Sequence, residues 1–201
     1  MGVKKNKDFR LQVPGGETTV LLHTCCAPCS SAIIEAMMKD GITPVIYYCN
    51  PNIYPLEEYE IRKNECTRYA RSLGLEIVDA DYDHENWLDA VKGLEGEPER
   101  GGRCLRCFKI RLLRTAQYAA QRGIKVITTT LASSRWKSLD QINEAGRWAC
   151  QQIVPPDGKV IWWDHNWRKN GLQERRLQII KEYDFYNQLY CGCEFSMRKE
   201  D

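Results

Sequence analysis

The feature that most constrains the fold of this chain is the alternation of short apolar runs with helical patterns. Thr18–Leu22 reads as a strand, and Ile33, Ile34, Met37 and Met38 are spaced for one buried face of a helix over Ser31–Lys39. Ser30 and Ser31 suit the start of that helix, and Gly41 suits its end. The pattern then repeats as strand Thr43–Tyr48, helix Leu56–Leu73 closed by Gly74, strand Glu76–Ala80 and a short helix Glu85–Val91. A loop rich in Gly, Glu and Pro runs from Gly93 to Gly102. Beyond it come helix Cys104–Gln121, strand Lys125–Thr129, helix Ser138–Cys150, strand Val160–Trp162 and helix Leu172–Tyr183. Such a series predicts an α/β fold, a mainly parallel five-stranded sheet flanked by helices on both faces.

A length of 201 residues fits one domain with a single core. Residues 1–16 are expected as a flexible tail and 17–201 as one α/β catalytic domain. Met1–Arg10 are polar and basic without an apolar stretch, which predicts a frayed tail and not a secretion signal. No apolar run approaches the roughly 18 residues of a membrane span, so no membrane partner and a cytoplasmic location are expected. The net charge of +2 argues neither for nor against nucleic acid, so that case must rest on local clusters.

Ten cysteines without a secretion signal are the anomaly of the composition. In a reducing compartment they point to metal, redox chemistry or burial, not to a disulfide framework. Cys49, Cys66 and Cys150 are isolated and read as structural. The rest fall into three groups, Cys25/Cys26/Cys29, Cys104/Cys107 and Cys191/Cys193, which suggests one centre assembled by the fold. The first group sits in the first strand-to-helix loop, at the sheet edge where open α/β proteins bind ligands. Adjacent Cys25 and Cys26 are too close for an ordinary disulfide, yet both can ligate one metal centre.

Other loops at the same edge carry candidates. Asn50-Pro51-Asn52-Ile53-Tyr54-Pro55 leaves the second strand, and Tyr59 and Arg62 share a face of the next helix; this is a capped turn or one wall of a substrate site. Asp81 could cap, ligate metal or exchange protons, while Asp83 suits an N-cap. Cys104 and Cys107, three residues apart, could be a redox pair or half of a zinc site. Around them Arg100, Arg103, Arg106, Lys109, Arg111 and Arg114 form either a solvated face or a phosphate-contacting one. In Cys191-Gly192-Cys193 the glycine lets two sulfurs converge, and the flanking aromatics predict a segment folded back over the sheet edge. Trp162 is expected in the core; Trp163 and Trp167 could be core or RNA-stacking residues.

Taken together, six segments resemble the QueH family of epoxyqueuosine reductases, which act on tRNA. They are His23-Thr24-Cys25-Cys26-Ala27-Pro28-Cys29, Asn50-Pro51-Asn52-Ile53, Asp81-Tyr82-Asp83, Arg103-Cys104-Leu105-Arg106-Cys107, Thr128-Thr129-Thr130-Leu131 and Tyr190-Cys191-Gly192-Cys193-Glu194-Phe195-Ser196. The likeness runs from about Val20 to Ser196. It implies a fold similar to the adenine nucleotide α-hydrolase-like group. Cysteines occupy the loop that grips phosphate in that group, so ATP use is not carried over.

The resemblance implies a 4Fe-4S enzyme that removes the epoxide oxygen of epoxyqueuosine at the tRNA wobble position, giving queuosine. Cys25, Cys26, Cys104, Cys107, Cys191 and Cys193 are the ligand candidates. Six exceeds the four that one cubane needs, so the surplus is expected to hold a second iron or to leave one cluster iron open. Converting an epoxide to an alkene takes two electrons and two protons. Iron can pass the electrons singly, and His23, Asp81 or Tyr59 could protonate the departing oxygen. His23 reads equally as a hydrogen-bonded histidine at a strand end. No G-x-G-x-x-G follows a strand, so an external electron donor is expected. Asn50, Asn52, Arg62, Arg103, Arg106, Arg111 and Lys137 are the candidate contacts to the tRNA. One departure stands out: where the family tends toward a Ser-Pro-type loop, this chain has Ala132-Ser133-Ser134-Arg135-Trp136-Lys137. The rival readings are a zinc-stabilised RNA-binding module and a thiol–disulfide enzyme using Cys104 and Cys107 alone.

Overall fold

β1 (Thr19–Thr24) is buried along all but its first residue, as befits the central strand of a sheet covered on both faces. In the computed structural model, which describes residues 9–154 and 158–197, it pairs in parallel with β2 (Thr43–Tyr48) on one side and β4 (Val126–Thr129) on the other. β3 (Ile77–Asp79) extends the sheet beyond β2, and β5 (Ile161–Trp162) beyond β4. The order is therefore β3-β2-β1-β4-β5, with all pairings parallel. The five-stranded α/β architecture read from the sequence is present.

Helices α1 (Ala27–Lys39) and α2 (Leu56–Ser72) pack together on one face. They are joined there by α6 (Leu172–Glu182), which lies against α1. On the other face α4 (Gly102–Gln121) packs against α5 (Leu139–Gln151), and the short α3 (His84–Val91) lies against α4. Among the described residues no helix is long and apolar enough to cross a membrane.

Three local expectations need correction. Ser30 and Ser31 do not cap α1: the helix starts at Ala27, with extended Cys26 at the N-cap and Pro28 in the first turn. Proline lacks an N–H that the first turn would leave unpaired, so it favours this early start. Trp162 packs against the core but is only half-buried, whereas Trp163 and Trp167 lie within it at 5% and 0% exposure. Of the stretch expected as a tail, residues 1–8 lie outside the described residues. Leu11, however, is buried, and its N–H donates to Asp40 Oδ2 at 2.7 Å.

The chain order fixes where a site can form. β1 leads to β2 on one side, while β4, later in sequence, inserts on the other. The carboxyl ends of β1 and β4 therefore flank the point where strand order reverses, the usual crevice of such sheets. Cys25 follows β1 there, and the 3-10 turn Thr130–Ser133 follows β4.

Candidate metal centre

The β1 loop is held across this crevice. The Cys25 N–H donates to Thr130 Oγ1 at 3.1 Å, and the same hydroxyl lies 3.3 Å from Cys25 Sγ. Because α1 starts at Ala27, Cys29 falls in its first turn and turns its thiol toward Cys25 and Cys26. The three sulfurs lie within 4.8 Å of one another, and Cys25 Sγ and Cys26 Sγ are 3.8 Å apart. A tetrahedral ion with metal–sulfur arms of about 2.3 Å has edges of about 3.8 Å, the length of the Cys25–Cys26 edge of this nest.

Charge within the nest is uneven. Hydrogen bonds from the Cys26 and Cys29 thiols, helped by the Lys137 charge and the Thr130 hydroxyl, hold Cys25 well below the usual thiol range despite its burial. Donating to Cys25 raises Cys26 in turn, and pushes Cys29 up to about 11. Without a cation a proton leaves Cys25 more readily than Cys26 or Cys29. A bound metal would replace the thiol protons.

Cys104, Cys107, Cys191 and Cys193 form a second neighbourhood. Burial raises Cys104, Cys107 and Cys193, and the nearby charge of Cys191 adds to each. Cys107 and Cys193 pack with Trp87 and Val91 in a small apolar cluster. Among the described residues, however, the Cys25/Cys26/Cys29 set is the one whose ligand atoms close to within 4.8 Å. The C-terminal stretch reaches the β2 loop through the Tyr54 N–H, which donates to Gly192 O at 2.9 Å, and the Tyr190 hydroxyl, which donates to Tyr54 O. Gly192 has φ +132°, and a Cβ there would sit 3.0 Å from Ile53, so this approach requires glycine. Gln188 Nε2 reaches Cys26 Sγ at 3.2 Å.

Cations lie between the two thiol groups. Arg111 is buried and donates to Cys49 O at 3.3 Å, to Asn50 Oδ1, and toward Cys107 Sγ at 3.9 Å. Burial works against its charge, but Cys107, Cys25 and Cys191 hold its proton more tightly. For half-buried Lys137, burial is likewise outweighed by Cys191, Cys25 and Cys29, and its pKa is raised.

The acid/base candidates stand differently. His23 is fully buried: Nε2 lies 3.0 Å from Cys49 O and Nδ1 2.7 Å from Thr129 Oγ1. An N–H at Nε2 and a lone pair at Nδ1 satisfy both, and burial first, then Arg111, lowers its pKa to about 3. Tyr59 is buried and donates to Asp79 Oδ1 at 2.7 Å and Ala80 O at 3.0 Å. Asp81 is exposed, its backbone carbonyl accepting from Arg114. Asp83 occupies the N-cap of α3 without a side-chain capping bond; its carboxylate accepts from Asn86 instead.

Among the candidate tRNA contacts, Arg106 is exposed. Arg62, Arg103 and Arg111 are instead 2% exposed each. Arg103 donates to the carbonyls of Leu94, Glu95 and Glu97, tying the Gly93–Gly102 loop to α4. Asn50 donates to Thr24 O at 2.9 Å, whereas buried Asn52 Oδ1 has no partner among the described residues. Cys29 was absent from the predicted ligands, although its spacing from Cys26, one helical turn, was the available signal.

Fold and site together define an α/β protein with a thiol-lined crevice at the switch point of a parallel sheet. Residues 20–199 match the family model described as epoxyqueuosine reductase QueH. The chain belongs to this family. It is 48% identical over 189 residues to the epoxyqueuosine reductase QueH of Haemophilus influenzae, covering 94% of this chain and 76% of that one. The QueH of Acinetobacter baylyi is 46% identical over 94% of this chain and 85% of its own. That of Thermotoga maritima is 35% identical over 89% and 90%.

Proposed function

We propose that this chain is an oxidoreductase that reduces epoxyqueuosine in tRNA to queuosine at an iron centre held by its clustered thiols. The observation that carries the reading is the convergence of Cys25, Cys26 and Cys29 at the switch point, in a chain of this family. The donor set fits iron. The nest supplies three sulfurs for one centre, Cys104, Cys107, Cys191 and Cys193 supply four more, and together they exceed a single cubane's need. When bound, a 4Fe-4S cluster with a second iron supplies single electrons and a Lewis acid for the epoxide oxygen.

The protein's own residues do the rest. Arg111 and Lys137 offset the negative charge that gathers when several thiols ionise together. The reaction consumes two electrons and two protons; both C–O bonds to the oxygen break, an alkene forms and the oxygen leaves as water. The electrons come from an external one-electron donor. His23, with both nitrogens engaged, keeps the β1 loop in place, while Asp81 has the exposed carboxylate suited to relaying protons. A cytoplasmic setting accords with ten free thiols.

Anaerobically purified protein should be coloured, contain iron and sulfide, and convert epoxyqueuosine in tRNA to a nucleoside lighter by one oxygen when reduced with dithionite. Cys25→Ala and Cys191→Ala should lose colour and turnover together. Colourless protein carrying zinc, binding RNA without turnover, overturns the proposal in favour of a zinc-stabilised RNA-binding module.

A further inference from the structure

The loop Ala132–Lys137 carries the most exposed aromatic among the described residues. Trp136 is 71% exposed, whereas Trp87 and Trp167 are fully buried. Its backbone is nevertheless tightly held. Arg100 donates through Nε to Trp136 O and through Nη2 to Arg135 O, both at 2.9 Å. The Trp136 N–H donates to Ser134 Oγ at 3.3 Å, and Arg168 Nη2 to Lys137 O at 2.7 Å. The peptide is fixed on both sides while the indole face stays open to solvent.

The rim of this indole is cationic. The Arg135 guanidinium lies over one face of the ring, 5.9 Å from its centroid, and Arg100, Arg135 and, on the second turn of α4, Arg106 are all exposed. Among the described residues none of these three, nor Lys137 or Arg168, is paired with a carboxylate. Burial first, then the charge of Arg100, lowers the pKa of Arg168, as uncompensated neighbours should. The patch adjoins the thiol centre: the Arg100 N–H sits on Cys104 Sγ at 3.3 Å, and Lys137, next to Trp136, feels the charges of Cys191 and Cys25.

A rigid, open π face inside an unpaired cationic rim is how proteins hold single-stranded nucleic acid: bases stack and phosphates meet the arginines. A protein partner would favour an apolar surround, which this patch lacks. We infer that Trp136 is a stacking platform for one unpaired base flanking the nucleotide that enters the thiol centre, with Arg100 and Arg135 on the adjoining phosphates. The occupant's identity as a tRNA anticodon loop rests on the proposed reductase function; the platform itself does not.

The test is binding of an anticodon stem–loop RNA, and of an RNA duplex without a loop, to the intact metal-loaded protein and to Trp136→Ala and Trp136→Phe variants. Loss of one stacked base predicts a Kd for the stem–loop raised roughly five- to hundredfold in Trp136→Ala. Binding should be largely retained in Trp136→Phe, whose ring still stacks, and metal content should be unchanged in both. Stem–loop binding by Trp136→Ala equal to the parent's, or an equal loss on duplex and stem–loop, overturns the inference. Trp136-dependent loop binding by a protein that makes no queuosine would sink the reductase reading and leave the platform standing. Queuosine formation with Trp136-independent binding would do the reverse.

Discussion

Arg62 Nη1, buried on α2, donates to the carbonyl oxygen of Cys191 at 3.2 Å across 129 residues of sequence. Its Nη2 reaches Tyr190 O at 3.3 Å, and Glu58 holds the guanidinium from one helical turn away at 2.6 Å. Glu58 also accepts from the Tyr186 hydroxyl at 2.7 Å. One buried ion pair thus fastens both ends of the segment that leads to Cys191 and Cys193.

Removing Arg62 strands the Glu58 carboxylate in the interior. Arg62→Met should therefore cost about 3–5 kcal/mol of stability, read from urea denaturation. The double variant Arg62→Met/Glu58→Leu should recover much of that stability, since no buried charge is left alone. It should still bind less metal than the parent, because nothing then holds the Tyr190 and Cys191 carbonyls. Full metal content in the double variant would show that the clamp does not position Cys191.

Cys29 and Cys66 are both buried cysteines, at 9% and 3% exposure, yet their surroundings differ. Cys29 faces two other sulfurs, whereas Cys66 belongs to the main core. Metal-free protein titrated with cobalt(II) should develop thiolate charge-transfer absorbance. Cys29→Ala should weaken or abolish the tightest binding step and Cys66→Ala should keep it.

Gly146 on α5 lets the helix rest directly on the Trp162 ring of β5. A Cβ at this position would lie 2.2 Å from the indole Cδ2, well inside contact distance, and those ring atoms belong to no flexible tip. Trp162 Nε1 is further held by Asn143 Oδ1 at 3.1 Å. Gly146→Ala should destabilise the protein by about 1–3 kcal/mol through overpacking, in spite of alanine's better helix propensity. Thermal melts would check this, and an unchanged or raised midpoint would contradict it.

His165 packs among Phe9, Trp163 and Trp167, with Nε2 buried and without a hydrogen-bond partner among the described residues. Burial lowers its pKa, more strongly than Asp164 raises it. Below the ordinary value of 6.5 the unfolded chain takes up a proton that the folded one resists. Its share of stability is therefore present above pH 6.5 and is lost as pH falls, by up to about 1.4 kcal/mol per pH unit. His165→Phe should lose less stability between pH 7 and pH 5 than the parent does, as followed by denaturant midpoints at each pH.

Much of the layout was legible in local sequence. Thr43–Tyr48 is the second strand to the residue, because an apolar run bounded by Gly41 and the Asn50-Pro51 turn leaves little freedom at either end. β1 ran two residues further than its apolar pattern, since His23 and Thr24 are polar yet buried through hydrogen bonds to other strands and loops. The basic row near Cys104 was visible, but its division was not. Arg106 faces solvent, while Arg103 and Arg111, about two helical turns apart, turn inward to carbonyls and a thiol.

The sequence by itself determined the βαβ order and the three places where thiols occur, because periodicity and spacing are properties of neighbouring residues. Tertiary structure decided that Cys29 joins Cys25 and Cys26, that Arg62 and Arg111 serve the interior, and that Trp136 faces water. Those outcomes depend on β4 inserting beside β1 and on the chain end returning to the β2 loop. Such contacts join residues up to 162 positions apart, and no local pattern encodes them.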